Sequence, residues 1–198
     1  MAKLVGPQAI KQHRFTVEQY HKMGEAGIFS EDDRVELIDG EVVEMTPIGW
    51  RHMWCVRRLI RLLAGFAETS SGVRYEVDAQ NPIALGEHGE PQPDLVLLLD
   101  PPVGRLPGPG DVALVVEVAD ASLAFDRNVK LTRYSEAGIP EAWLIDLNAD
   151  RFEVHSEPAS DGYRRTARYG RGERVESATL PNLALDVDEA LPPKEPEA

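Results

Sequence analysis

Glu117 lies near the end of an unbroken apolar run, Val112 to Ala119, and Asp94 stands immediately before a second run, Leu95 to Leu99. A run without alternation is the pattern of a strand covered on both faces, in the centre of a sheet. Ionised carboxylates are costly to desolvate and are seldom left in such places without a cation or hydrogen-bond donors. The two acids are 23 positions apart (117 − 94), yet on neighbouring strands they stand side by side. Oxygen ligands so placed suit a hard ion such as Mg²⁺ or Mn²⁺. Such an ion polarises a phosphoryl oxygen and lowers the pKa of a bound water, so the pair points to metal-dependent hydrolysis. Taken singly, each acid has a plainer reading: Asp94, after Gln92-Pro93, ends a turn, and Glu117 pairs with an arginine.

Further groups stand within reach of this chemistry. Lys130 is four residues beyond Asp126 and four before Tyr134, so the three share one face of a helix. A lysine beside the site orients a water or stabilises negative charge developing at phosphorus; the alternative is an exposed Asp126–Lys130 pair worth about 0.3–0.5 kcal/mol. Glu36 supplies another acid, or sits on a polar strand face. His52, a residue type suited to proton transfer, serves as proton shuttle or phosphate contact, or caps and packs its helix. There is no Gly-rich phosphate loop, no Cys/His zinc spacing and no Gly-x-Ser-x-Gly elbow, which removes kinases, zinc hydrolases and serine esterases.

The elements that must hold these residues can be read along the chain. Thr16 and Gln19 form a capping-box pattern for a helix reaching about Gly27. Asp39-Gly40 between Arg34–Ile38 and Glu41–Met45 is a hairpin signal, because both turn positions tolerate φ > 0. Val56, Leu59, Ile60, Leu63 and Phe66 keep helical spacing from Trp50 to about Glu68, with Arg51, Arg58 and Arg61 on the other side. Val73 to Leu85 reads as a strand bent at Asn81-Pro82. After the two buried strands a helix is expected from Ala124 to Ala137, stopped by Gly138 and Pro140. A strand at Ala142–Ile145 follows, then a meander of Arg151–Ser156 and Tyr163–Tyr169 around Asp161-Gly162. The central order, helix, three strands, helix, strand, implies an α/β fold with a mixed sheet flanked by helices. The crossover from Glu117 to Trp143 is right-handed if those strands are parallel.

Composition limits the partners. The chain has 198 residues, enough for one substantial core, with residues 1–14 as an extension, 15–191 as one domain, and a Pro/Glu-rich disordered tail from 192. No run of about 18 apolar residues predicts a membrane span. With Cys55 as the sole cysteine and no secretory h-region, a cytoplasmic setting is expected. The net charge of −13 argues against tight non-specific DNA binding. The basic residues are clustered, however: Arg51, Arg57, Arg58 and Arg61 in one helix, and Arg164, Arg165, Arg168, Arg171 and Arg174 in a later segment. Either cluster guides an acidic ligand or is a solvated face.

The stretches Arg34-Val-Glu-Leu-Ile-Asp-Gly-Glu41, His52, Gln92-Pro-Asp94, Val116-Glu-Val118, Asp126-Arg127, Lys130, Tyr134 and Ala137-Gly-Ile-Pro-Glu-x-Trp-Leu-Ile-Asp146 resemble the Uma endonuclease-like family of the PD-(D/E)XK superfamily. The resemblance spans about Phe15 to Leu191, with the motifs in the family's order. It implies a restriction-endonuclease-like fold with core order αβββαβ, preceded by an N-terminal helix and a hairpin. It further implies that Asp94 and Glu117 are the motif acids that bind Mg²⁺ or Mn²⁺. The superfamily's lysine is expected two residues after the second acid, where this chain has Ala119; Lys130, on the following helix, matches the family's displaced lysine. Glu36 matches its extra acid, with His52, Tyr134 and Gln92 accessory and Arg51, Arg58 and Arg61 expected to touch nucleic acid. The implied protein is a nuclease, acting on DNA as first expectation and working as a homodimer. Alternatives are a catalytically weak or inactive binding or regulatory module on the same fold, and an enzyme of small phosphoesters.

Overall fold

The computed structural model describes residues 12–30, 32–45, 47–70 and 72–193. Most of the expected N-terminal extension and the last residues of the expected tail lie outside them. Helix α1 (Val17–Glu25) begins at a capping box in which Thr16 and Gln19 satisfy each other's backbone N–H groups. Strands β1 (Val35–Ile38) and β2 (Glu41–Glu44) form the hairpin. Asp39 and Gly40 both take positive φ, 54° and 79°, the combination that matches the twist of a two-residue hairpin.

Helix α2 (Trp50–Thr69) then crosses a six-stranded sheet in the order β3-β4-β5-β6-β7-β8. Its strands are Tyr75–Ala79, Leu95–Leu99, Val112–Ala119, Glu141–Asp146, Arg151–Ser156 and Arg165–Gly170. Only β5 and β6 run parallel; every other neighbouring pair is antiparallel. All eight residues of β5 are buried, as its lack of alternation requires. Val116 and Val118 join α2 residues Leu59 and Leu63 in one core. Val115 and Ala119 join Leu131 and Tyr134 in the core on the opposite face. Glu117, two residues from each of those, shares their face.

The helical segment after β5 is not one α-helix. Short α3 (Leu123–Phe125) leads into a π-turn over Asp126–Lys130, and α4 (Leu131–Glu136) completes it. The Leu131 N–H bonds the Asp126 carbonyl, five residues back. The expected strand Val73–Leu85 shortens to β3, because Gln80 turns to φ 55° and Pro82 has no N–H to offer a ladder. The last meander strand starts at Arg165 rather than Tyr163, whose hydroxyl donates to the Ile139 carbonyl. Three small elements were not foreseen: β9 (Arg174–Glu176), β10 (Ala184–Asp186) and α5 (Val187–Ala190). They close the α2 face with Val175, Leu185 and Val187. Pro192, placed in the expected tail, is buried, and its carbonyl accepts from Arg171. Among the described residues no helix is long and apolar enough to cross a membrane.

Gly40 offers a direct test of the hairpin. A Cβ there would stand 2.6 Å from Arg14 Cβ and 2.9 Å from Arg14 Cα, and φ is in the left-handed region. Gly40→Ala should cost about 1–3 kcal/mol, read as a lower urea midpoint. An unchanged midpoint would show that the Arg14 segment does not hold the hairpin.

Candidate active site

Four elements converge on a cavity of about 360 Å³ on the α4 face of the sheet. Strand β1 brings Glu36, the first turn of α2 brings His52, the β4–β5 pair brings Asp94 and Glu117, and the π-turn brings Asp126 and Lys130. The antiparallel register Leu95↔Val116, carried one residue further, sets Asp94 beside Glu117. The Val118 N–H donates to Asp94 Oδ2 at 2.8 Å, and His52 Nε2 lies 3.0 Å from the same carboxylate. His52 Nδ1 is buried with no hydrogen-bond partner.

Lys130 sits between two acids, its Nζ 3.1 Å from Glu36 Oε2 and 3.3 Å from Glu117 Oε1. Tyr134 donates its hydroxyl to Glu117 Oε1 at 2.5 Å. Glu36 also accepts the backbone N–H of Gln92 at 3.1 Å, while the Gln92 side chain reaches the Val35 carbonyl at 3.4 Å. Backbone bonds between Leu37 and Glu90 dock the hairpin on the segment that leads into Asp94. The hairpin therefore positions Glu36 and steadies Asp94 together.

The charges do not balance. Glu36, Asp94, Glu117 and Asp126 are all buried, and Lys130 is the one buried ammonium among the described residues of the cavity. Burial pushes the Glu117 carboxyl well above its usual range; Lys130 opposes this, and Asp126, Asp94 and Glu36 add to it. Asp126 is likewise pushed up by burial, to about 6, against the Ser122 hydroxyl bond and Lys130, with Asp94 and Glu36 adding repulsion. Burial alone would lower the Lys130 ammonium, but Glu117, Glu36 and Asp126 outweigh it and hold the pKa above normal. With two carboxylates within 3.3 Å of its Nζ, Lys130 is placed as a hydrogen-bond donor. An excess of desolvated carboxylate around open space is an environment that a cation would relieve.

The structure gathers Asp94, Glu117, Lys130, Glu36, His52, Tyr134 and Gln92 at or around one site. The Asp126–Lys130 pair is buried, not an exposed helix pair. The helix arginines go elsewhere. Arg51 bonds Asp150 at 2.9 Å, Arg58 donates to the Glu189 carbonyl and lies over the Trp54 ring, and Arg61 is exposed; none of the three lines the cavity. Several lining residues were missed, among them Asp126 as a site acid and Arg34. For Asp126 the available signal was its placement four residues before Lys130, on the same helix face.

The family model Uma2, described as "Putative restriction endonuclease", matches residues 17–188. Among solved structures, the fold is similar to a protein described as "a putative nuclease belonging to DUF820" from Anabaena variabilis ATCC 29413, with a TM-score of 0.67 at 12% identity. That likeness covers 89% of this chain and 97% of the other, and at such identity it speaks for the fold. Comparison with curated proteins returns no match.

The raised Asp126 pKa has a definite sign. The folded chain keeps a proton that the unfolded chain releases between its ordinary value of 3.8 and about 6, so stability falls as pH rises through that window. At roughly 1.4 kcal/mol per unit, the group contributes on the order of 3 kcal/mol of loss. In metal-free buffer, Asp126→Asn should flatten the decline between pH 4 and 6 relative to wild type, followed by urea unfolding. Equal slopes would show that Asp126 titrates as a solvated acid.

Proposed function

The chain belongs to the Uma2 family, and on that premise we propose that it hydrolyses phosphodiester bonds of nucleic acid with the help of Mg²⁺ or Mn²⁺. The observation that carries this reading is the cavity with four buried carboxylates and one buried ammonium. Asp94 and Glu117 would hold the ion. Among the described residues no group of three or more His, Cys, Asp or Glu side chains is placed to hold a metal ion, so Asp94 and Glu117 would supply two ligands and water the others. When bound, the cation supplies Lewis-acid polarisation of a phosphoryl oxygen and a more acidic water.

The chain's own residues divide the remaining work. Lys130, held protonated, donates to negative charge growing on phosphorus or fixes the attacking water. Glu36 holds Lys130 as a second acidic partner beside Glu117. Tyr134 fixes one oxygen of Glu117, and His52 together with the Val118 N–H fixes Asp94, so both acids are oriented before any ligand arrives. Arg34, at the cavity wall, offers a cationic fork to a substrate phosphate.

One observation favours a second reading, a weak or inactive nuclease-fold module. The Lys130 ammonium already contacts Glu117 and Glu36 and neutralises part of the charge an ion would meet. Turnover separates the two readings.

Labelled DNA and RNA incubated with Mg²⁺ or Mn²⁺ should be cut, and EDTA should stop it. Glu117→Gln should lower the rate by roughly a thousandfold or more while leaving the fold intact, because the substitution removes a buried charge. A folded wild type that cuts nothing, or a variant that cuts equally well, would overturn the reading.

Lys130→Gln should lower turnover more than it lowers metal affinity, as followed by Mn²⁺ titration. Leaving its acid partners unpaired should also cost about 3–5 kcal/mol in metal-free buffer. Unchanged turnover at equal metal occupancy would reduce Lys130 to a structural counterion.

A further inference from the structure

Three arginines converge on the sheet face that carries Glu117, beyond the cavity. Arg127 directs Nε and Nη2 to Glu153 Oε2 and Oε1 at 3.2 and 3.3 Å. Arg168 Nε reaches Glu153 Oε1 at 3.1 Å. Arg151 Nη2 stands 3.6 Å from Asp146 Oδ2 and 3.8 Å from Glu153 Oε1. The two carboxylates are 5% and 2% exposed, whereas the side chains of Arg127, Arg151 and Arg168 are 34%, 39% and 58% exposed. What solvent meets here is cationic, on a chain whose net charge is −13.

The sheet register ties this surface to the site. Glu117 pairs with Leu144, Leu144 with Glu153, and Glu153 with Arg168, so one row of side chains runs from the cavity to the arginines. Three strand spacings place Arg168 roughly 14 Å from Glu117, about four nucleotide steps along a strand with a rise near 3.4 Å. Arg127 follows Asp126, a cavity residue, and spans the interval. The donors are also underused. Among the described residues, Arg168 gives only Nε to a protein acceptor at hydrogen-bond distance, and Arg151 makes only the two longer contacts. Burial would raise the Glu153 carboxyl, but bonds from Arg168 and Arg127 outweigh this and hold it below its usual range. It stays ionised and pre-orients the guanidinium forks, which lowers the entropy lost when they meet a ligand.

We propose that Arg127, Arg151 and Arg168 form a surface that grips the phosphate backbone of a nucleic-acid strand about four nucleotides from the phosphodiester at Glu117. The substrate is then a polymer, not a small phosphoester. This inference rests on the nuclease reading and specifies where its substrate lies.

The test is binding of labelled single-stranded oligonucleotides to the full chain in EDTA, from a dinucleotide to about a dozen nucleotides, over a range of salt. Wild-type affinity should rise with length until the strand spans the arginines. Arg127→Gln, Arg151→Gln and Arg168→Gln together should weaken binding of the long strands roughly tenfold or more and reduce the salt slope by about 2. The same variant should bind dinucleotides as wild type does. Arg74→Gln, an exposed arginine at the start of β3, is the control and should change neither. Melting temperatures of all variants separate lost binding from lost fold, and the single Arg168→Gln, removing the most exposed fork, serves if the triple variant is unstable. A long strand bound with unchanged slope and length dependence by the folded variant would overturn the surface while leaving the nuclease reading intact. A folded wild type that neither binds nor cuts nucleic acid would overturn both.

Discussion

The site depends on an unequal charge count in a desolvated space. Four carboxylates and one ammonium are buried where strands β4 and β5 meet the π-turn. Each charge removed from water must be recovered through hydrogen bonds or ion pairs, and the surrounding structure is arranged for that. The Val118 N–H, the Gln92 N–H, the Tyr134 hydroxyl, the Ser122 hydroxyl and His52 all turn toward these acids. Their convergence explains why a polar cluster can stand at the end of a strand whose other seven residues are apolar. It also leaves the cluster incomplete by itself, since the raised Glu117 and Asp126 pKa values record first a burial cost, and then a repulsion among the acids, that Lys130 does not cancel.

A second carboxylate hub on the same sheet face shows the opposite balance. Glu153 is met by arginines from the π-turn, β7 and β8, and its acidity is strengthened. The two hubs lie in one register row, separated by Leu144 of β6. Parallel pairing of β5 with β6 brings this about, because the crossover helix then packs on the face between them and can contribute Lys130 to one hub and Arg127 to the other. Negative and positive ends of one surface thus follow from strand order and a short helical segment.

Much of this was legible in the sequence where a signal is local. The capping box, the Asp39-Gly40 turn, the spacing in α2 and the unalternating run of β5 each report their element because the cause lies within a few residues. What escaped depends on distant partners. Arg51 and Arg58 read as free cations because Asp150 and Glu189 are 99 and 131 residues away in sequence. Asp126 and Lys130 read equally well as an exposed pair, since i,i+4 spacing holds on either helix face; only packing turns them inward. Gln80 bends β3 to an end without the glycine or asparagine that usually announces a positive φ. Strands β9 and β10 are too short for periodicity to mark.

The π-turn makes one stretch of this chain sensitive to winding rather than to residue type. A turn closed by i→i+5 bonds holds one more residue than an α-helical turn, and that residue sets the angular phase between Asp126 and everything after Lys130. The wider turn absorbs that residue, so the side chains after it keep the phase that sets Lys130 against both glutamates and Tyr134 in its core. Were the same residues wound as an ordinary α-helix, everything after the turn would be rotated by on the order of 100° around the axis, carrying the lysine away from both glutamates and Tyr134 out of its core. Substitutions in this segment change one contact at a time, whereas a change in the winding of the turn would move Lys130 and Tyr134 together.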